Sequence, residues 1–245
     1  MTVLAVLAAA LGYEWLSLRA RVWNPWRGAA FTAGCAVALA GLGMHAHGAA
    51  GHMGQHLLVG MVAPLGIVLG APVTLLLRTL PVTAGRRLTR VLRTAPVRFL
   101  ISPVVALVLS AGSLVLLHLT PLLAYAMSDP FLHSALLVHF LLAGCLFAWV
   151  IAGPDPAPHR ATVRTRLVVL AVAVAVHATL AQLMYAGTLV RTPGTDADRQ
   201  TAATLMYYGG DLAELLLAFG VFQSGSRQVR ARGGLARTGH RMARP

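Results

Sequence analysis

Long apolar runs, separated by short basic or glycine-rich segments, constrain the fold of this chain more than any other feature. A helix needs about twenty apolar residues to cross the hydrocarbon core of a bilayer. Seven runs approach that length, over residues 1–18, 28–44, 53–77, 99–120, 131–151, 166–188 and 201–222. The composition agrees, because 57% of the 245 residues are hydrophobic and only 11% are charged. The sequence therefore predicts an all-α, polytopic membrane protein, a bundle of seven transmembrane helices.

The basic residues fall almost entirely on one side of this predicted bundle. All 20 are arginine, and 18 of them lie in the first, third and fifth loops or in the C-terminal tail. Only Arg191 and Arg199 lie on the other side. Since basic residues near helix ends favour the cytoplasm, this asymmetry predicts an external N-terminus and a cytoplasmic C-terminus. The net charge of +13 is accordingly assigned to topology and to lipid headgroups, not to nucleic acid.

The same pattern predicts the domain organisation. No polar segment between the runs is long enough to form a core of its own, so residues 1–226 are predicted to be one seven-helix transmembrane domain. Residues 227–245, rich in Arg and Gly, are predicted to form a disordered, basic cytoplasmic tail on the anionic inner leaflet. Pro64 and Pro72 lie inside the third run, where a missing backbone amide predicts a kink or break.

Histidines gather on the predicted outer side of the bundle. Eight of the ten lie there: His45, His47, His52, His56, His118, His133, His139 and His177. The first four occupy the second loop and the start of the third helix, and the other four lie on helices four, five and six. His52 and His56 form an i, i+4 pair, a spacing that lets two imidazoles reach one metal ion.

The donor types indicate copper. Imidazole and thioether groups without thiolates suit copper, and Cu(I) is favoured where sulfur predominates. Met44, Met53, Met127, Met184 and Met206 share the outer half with the histidines. We therefore expect an external copper entry site at the bilayer surface.

In that entry site His52 and His56 are joined by His45 or His47, because the preceding glycine-bearing loop can fold back over the helix. A deeper group of His118, His133 and His139 is the alternative site. For the histidines within the bundle, structural hydrogen bonding and a proton relay also stay open.

Two carboxylates fall near the middle of the predicted bilayer, close to the depth of His177. Asp211 and Glu214 are i, i+3 neighbours on the last helix, at a depth close to that of His177. Carboxylates inside a membrane are costly, so each is expected to face the bundle interior and to find a polar partner. An intramembrane polar site built from His177, Asp211 and Glu214 is predicted, with a purely structural helix-to-helix contact as the alternative.

Three segments give the chain a resemblance to a known family. They are "HMGQHLLVGMVAPLGIVLGAPVTLLLR" (52–78), "GPDPAP" (153–158) and "YYGGDLAELLLA" (207–218). With these motifs the chain resembles the CtaG-like family of bacterial cytochrome c oxidase assembly factors, seven-helix membrane proteins implicated in copper delivery. The resemblance implies an assembly role in the inner (plasma) membrane, with His52, His56 and Asp211 as matching motif residues. Implied partners are cytochrome c oxidase subunits and a periplasmic or extracellular copper chaperone.

Two other functions stay open on the sequence, a copper permease and a haem-binding membrane electron carrier. Few donors lie in the inner halves of the helices, which argues mildly against a permease. His118, His139 and His177 could serve as haem ligands, although no spacing demands it. No nucleophile with its base, phosphate-binding loop or HExxH motif is present, so the chain is predicted not to be an enzyme.

Overall fold

A computed structural model describes the backbone of residues 2–157, 160–190 and 194–242, and the side chains as far as Gln223. All regular secondary structure in these residues is helical. The helices are α1 (Thr2–Arg19), α2 (Pro25–Gly43), α3 (Gly48–Leu57), α4 (Ala63–Leu69), α5 (Pro72–Thr79), α6 (Val82–Leu92), α7 (Ala95–Leu100), α8 (Pro103–Leu107), α9 (Ser113–Leu119), α10 (Leu122–Ser128), α11 (Pro130–Ile151), α12 (Val163–Ala186) and α13 (Asp196–Met242). Two π-helical turns interrupt them, the first π turn at Leu58–Val62 and the second at Val108–Gly112.

Several of these elements are long and apolar enough to cross a membrane. The described residues contain five such spans: Thr2–Arg19, Gly48–Thr79, Pro130–Ile151, Val163–Ala186 and Asp196–Gln223. A sixth is formed if the segments Pro103–Leu119 and Leu122–Ser128, which meet at a bend of 87°, are counted together. The chain is thus an all-helical, multi-pass membrane protein. α2 has 19 residues and is about 28 Å long. The predicted count of seven spans is reached only if α2 also crosses the membrane.

The third apolar run does not form one kinked helix. α3, the first π turn and α4 form a continuous rod, and the chain then breaks at Ala71, whose φ of 54° lies in the left-handed region. Pro72 begins α5, in the first helical position where a proline is tolerated because its missing amide is not needed. The predicted break at Pro72 is therefore confirmed, and Pro64 lies just after the π turn instead of causing a second break.

Carboxylates from distant parts of the chain cap the starts of both helical pieces of this broken segment. Asp155, from the "GPDPAP" motif, accepts hydrogen bonds from the Val73 and Thr74 amides at 3.0 and 2.7 Å, which caps α5. At the start of the segment Asp198, from α13, accepts from the Ala49 and Ala50 amides at 2.6 and 3.1 Å, which caps α3. Each carboxylate satisfies amides that a helix start leaves without partners.

The bundle is closely packed around this segment. α2 packs against α1 and α4, α11 packs against α4 and the first π turn, and α13 packs against α12 and α3. Gly144 of α11 lies directly on the carbonyl of Gly60 in the first π turn, where any Cβ would collide with backbone. Such small residues let membrane helices approach closely.

The structure adds detail to two of the connecting segments. The third loop carries the strongly amphipathic helix α6, whose arginines lie on a helix with no buried residue, as in an interfacial helix. Arg166 was assigned to the fifth loop, but it lies within α12, is fully buried, and donates from Nη1 to the Ile151 carbonyl at 2.8 Å. A guanidinium can be buried when it hydrogen-bonds a carbonyl at a helix end.

Helix α13 continues to Met242, so the backbone of the predicted tail is helical as far as that residue. Side chains beyond Gln223 lie outside the described part of the chain. The division at residue 226, the seventh span and the orientation of the termini stay predictions.

Candidate functional site: a buried histidine cluster

The i, i+4 pair of α3 faces the bundle interior. His52 is 3% exposed and His56 is 7% exposed, because the face of α3 that carries them is enclosed by neighbouring helices. The predicted exposed position at the bilayer surface was therefore wrong. The spacing did place both imidazoles on one face, but the sequence did not reveal that this face packs inward.

Two other histidines meet this pair from different helices. His118 of α9 and His177 of α12 are both buried. The ring centroids of His56 and His177 are 6.4 Å apart. His118 lies close enough to His52, His56 and His177 to interact electrostatically with each of them. We call these four residues, His52, His56, His118 and His177, the histidine cluster.

Each member of the histidine cluster keeps a ring nitrogen without a hydrogen-bond partner among the described residues. The atoms are Nδ1 of His52, Nδ1 of His56, Nε2 of His118 and Nε2 of His177. For His118 the tautomer follows from its contacts, since Nδ1 lies 3.0 Å from the Leu114 carbonyl and must donate to it, which leaves a lone pair on Nε2. An unsatisfied buried polar group costs about 1–3 kcal/mol, so these nitrogens suit a ligand that accepts their lone pairs or takes up their protons.

His133 supports the outer edge of the cluster. It is half-buried on α11, with its ring centroid 5.7 Å from that of His52. Its Nε2 lies 3.0 Å from Gln55 Oε1, an acceptor, so Nε2 donates. Gln55 in turn donates from Nε2 to the Gly41 carbonyl at 2.9 Å, which ties this edge to α2.

The remaining predicted histidines lie elsewhere. His45 and His47 are exposed in the loop between α2 and α3, not packed over the helix pair. His139 is half-buried and donates from Nε2 to the Leu109 carbonyl at 3.2 Å, in the second π turn. The predicted deeper group of His118, His133 and His139 is therefore divided, because only His118 and His133 adjoin His52.

The acids of α13 are also divided. Glu214 is buried, and its Oε1 lies 3.4 Å from Nδ1 of His177, while its Oε2 has no hydrogen-bond partner among the described residues. Asp211 is only half-buried and lies in a surface groove between α12 and α13. The expectation that both carboxylates face the interior was thus wrong for Asp211, since three residues of a helix turn the chain by about 300° and leave the two acids on adjoining, not identical, faces.

A small cavity adjoins the cluster. It has a volume of about 50 Å³, more than one water molecule needs, and is lined by His56, His177 and Glu214 among apolar side chains. Both π turns contribute to its wall. Such turns often occur at functional sites, and the sequence analysis missed them because no residue pattern marks them.

The methionines of the predicted outer half have a different environment. Met53, Met184 and Met206 are fully buried in an apolar core with Leu117 and Phe140. Their thioethers therefore serve packing, as methionine usually does in apolar helices.

The arrangement can be tested as a metal site. Within residues 2–157, 160–190 and 194–223, no group of three His, Cys, Asp or Glu side chains is positioned to hold an ion jointly. The donors are instead imidazoles with unpartnered ring nitrogens, which fit a soft ion of low coordination number such as Cu(I) better than a hard cation that demands oxygen ligands.

The fold and the site together define a multi-pass helical membrane protein with imidazoles buried inside the bundle. Residues 10–228 match the family model of the cytochrome c oxidase caa3 assembly factor (Caa3_CtaG). Because the match covers most of the chain, the protein belongs to this family of oxidase assembly factors.

Relatives in mycobacteria extend the comparison. Uncharacterized proteins of Mycobacterium bovis and Mycobacterium tuberculosis are each 37% identical over 170 residues, which is 64% of this chain and 26% of theirs. One of Mycobacterium leprae is 35% identical over 134 residues, 52% of this chain and 20% of its own. The chain thus spans about a quarter of the length of these relatives. No solved structure matches the chain.

Proposed function

We propose that this chain binds copper as Cu(I) cargo on the extracytoplasmic side of the plasma membrane and supports its insertion into cytochrome c oxidase. The role is that of a metal-binding assembly chaperone and is not catalytic. The family match supports the link to the oxidase. Copper itself is inferred from the chemistry of the donors.

One observation carries the proposal, the four buried ring nitrogens of the histidine cluster that have no hydrogen-bond partner in the described chain. A histidine kept only for structure is expected to satisfy its buried nitrogens, as His133 does with Gln55. Four such nitrogens, on α3, α9 and α12, leave buried donors or acceptors available to a ligand inside the bundle.

Copper fits these donors better than zinc. Glu214 is the one carboxylate beside the cluster in the described residues, and no cysteine among them joins a group of three potential ligands. Structural zinc sites take four ligands in a closed tetrahedron, usually with thiolates. Cu(I) accepts imidazoles in fewer positions, which suits the absence of a three-ligand group among the described His, Cys, Asp and Glu residues.

Within this proposal the histidines have different tasks. His52 and His56 bind the ion, and His118 on α9 borders the site as a polar neighbour. His133 and Gln55 hold the outer edge in place through their 3.0 Å hydrogen bond. His45 and His47, exposed in the preceding loop, are positioned to meet an extracellular copper chaperone.

The test compares two double variants. His52→Ala with His56→Ala removes both proposed ligands and is expected to lower the Cu(I) affinity of the purified protein by more than the roughly 10- to 100-fold that follows loss of a group that only supports a ligand. The matched control, His45→Ala with His47→Ala, removes two exposed imidazoles and should leave the affinity of the purified protein unchanged. Copper per protein after dialysis against a Cu(I) chelator gives the readout, and oxidase copper content in cells gives the second.

Equal copper binding by the buried double variant and the parent would refute the assignment. A loss confined to the control variant would move the site to the loop. An absorption spectrum of the same preparations addresses the haem alternative, because a Soret band in the parent that disappears with His177→Ala would contradict copper as the ligand.

A further inference from the structure

A groove runs along the outside of the bundle between α12 and α13. It is lined by Leu167, Leu170, Val174 and Leu215, with the half-buried carboxylate of Asp211 among them. In a membrane protein this surface faces lipid or another membrane helix. Asp211 lies 15 residues after the start of α13, about 22 Å along the helix, so it lies well inside the span.

Asp211 is poorly suited to lipid. No hydrogen bond or ion pair of its carboxylate is found among the residues that the structure describes. A carboxylate exposed to hydrocarbon costs several kcal/mol, and intramembrane acids almost always face protein or water. A suitable occupant of the groove therefore offers a hydrogen-bond donor or a positive charge at the depth of Asp211.

Glu214 connects the groove with the interior. Its side chain lines the groove beside Asp211 and also lines the cavity beside His56 and His177. Glu214 is thus a side chain that the groove and the cavity share. A neighbouring groove between the same helices, lined by Tyr185, Tyr207 and Tyr208, contains no charged residue and does not reach the cavity.

We propose that the groove between α12 and α13 is the docking surface for a transmembrane helix of the oxidase subunit that receives the copper. That helix presents a basic or hydrogen-bond-donating side chain to Asp211. This inference rests on the proposed function and adds where the partner binds. The negative charge of Asp211 favours such a side chain. Because Glu214 lines both the groove and the cavity beside the cluster, a helix docked here lies next to the copper site.

Site-specific crosslinking tests the surface in cells that assemble the oxidase. A photoreactive residue is introduced at Leu215, which lines the groove and is 67% exposed. The matched control is the same probe at Leu11 of α1, a leucine that is 72% exposed on a helix that packs against α2 and α5. Crosslinks to an oxidase subunit from Leu215 but not from Leu11 are expected.

A second comparison tests the carboxylate. With the probe at Leu215, Asp211→Asn should reduce the crosslink roughly three- to thirtyfold, the range for single polar contacts between membrane helices. The control, Gln182→Leu, removes a polar group from the neighbouring groove and should have no effect. Ala218→Trp obstructs the groove sterically and should also abolish the crosslink, which keeps the test independent of the folding of any one variant.

The outcomes separate the two proposals. Crosslinks from Leu215 to a second copy of this chain, or equal crosslinks from Leu215 and Leu11, would overturn the docking surface. So would an undiminished crosslink in both Asp211→Asn and Ala218→Trp. Purified Asp211→Asn should bind Cu(I) like the parent, so failed docking leaves the copper assignment intact. Conversely, loss of the copper assignment leaves a crosslink to the oxidase in place.

Discussion

At the scale of single residues, a close contact between a glycine backbone and an imidazole ring helps to position the histidine cluster. The ring of His177 lies against Gly210 of α13, where an added Cβ would come within 2.6 Å of Cε1 and 2.8 Å of Nδ1. The same ring contacts Glu214, one helical turn further along α13. A glycine at residue 210 thus sets how closely α13 approaches the imidazole.

We predict that Gly210→Ala displaces the His177 ring and destabilises the protein. Overpacking a tight interior typically costs about 1–3 kcal/mol. The matched control is Gly12→Ala in α1, where an added Cβ meets nothing within 4 Å and should be neutral or slightly stabilising. Thermal unfolding in detergent measures both variants, and equal midpoints for the two would contradict the tight contact.

At the scale of elements, the helix that carries His52 and His56 depends on a distant carboxylate. Asp198 of α13 caps α3, and Gly48 permits the contact because its φ of 68° and its missing Cβ leave room for the carboxylate. Asp155 caps α5 in the corresponding way at the far side of the break. The two caps secure the starts of the helices before and after the break.

We predict different consequences for the loss of the two caps. Asp198→Ala and Asp155→Ala should each lower stability by about 0.5–2 kcal/mol, the usual cost of a lost cap. Only Asp198→Ala should also weaken Cu(I) binding, because α3 carries the two histidines and α5 carries none. Competition with a Cu(I) chelator measures the difference, and equal copper affinities in the two variants would count against copper binding on α3.

At the scale of the whole molecule, the distribution of arginine predicts how the bundle is oriented. Gly48 begins the 32-residue candidate span that ends at Thr79, and Arg87 follows in α6. Basic residues favour the cytoplasmic side, so the loop with His45 and His47 is predicted to be external.

Reporter fusions truncated after Gly48 and after Arg87 check this orientation. The first should be active only as an external reporter, and the second only as a cytoplasmic one. If both reporters lie on the same side, the segment between Gly48 and Arg87 does not cross the membrane. The fusion after Gly48 also tests whether α2 crosses the membrane, because the side of Gly48 depends on α1 and α2 together.

The sequence by itself determined the membrane class, the helical fold, the break at Pro72 and the family, because each depends on local composition or on an ordered motif. Tertiary structure decided the rest. Which helix faces pack together decides that His52 and His56 are buried and that His118 and His177 lie inside the same bundle. It also decides that Glu214 is buried while Asp211 is only half-buried. In an apolar helix every face is hydrophobic, so the sequence has no amphipathic pattern that shows which face packs inward. The caps supplied by Asp155 and Asp198 join residues about 80 and 150 positions apart, a proximity that only the folded bundle creates.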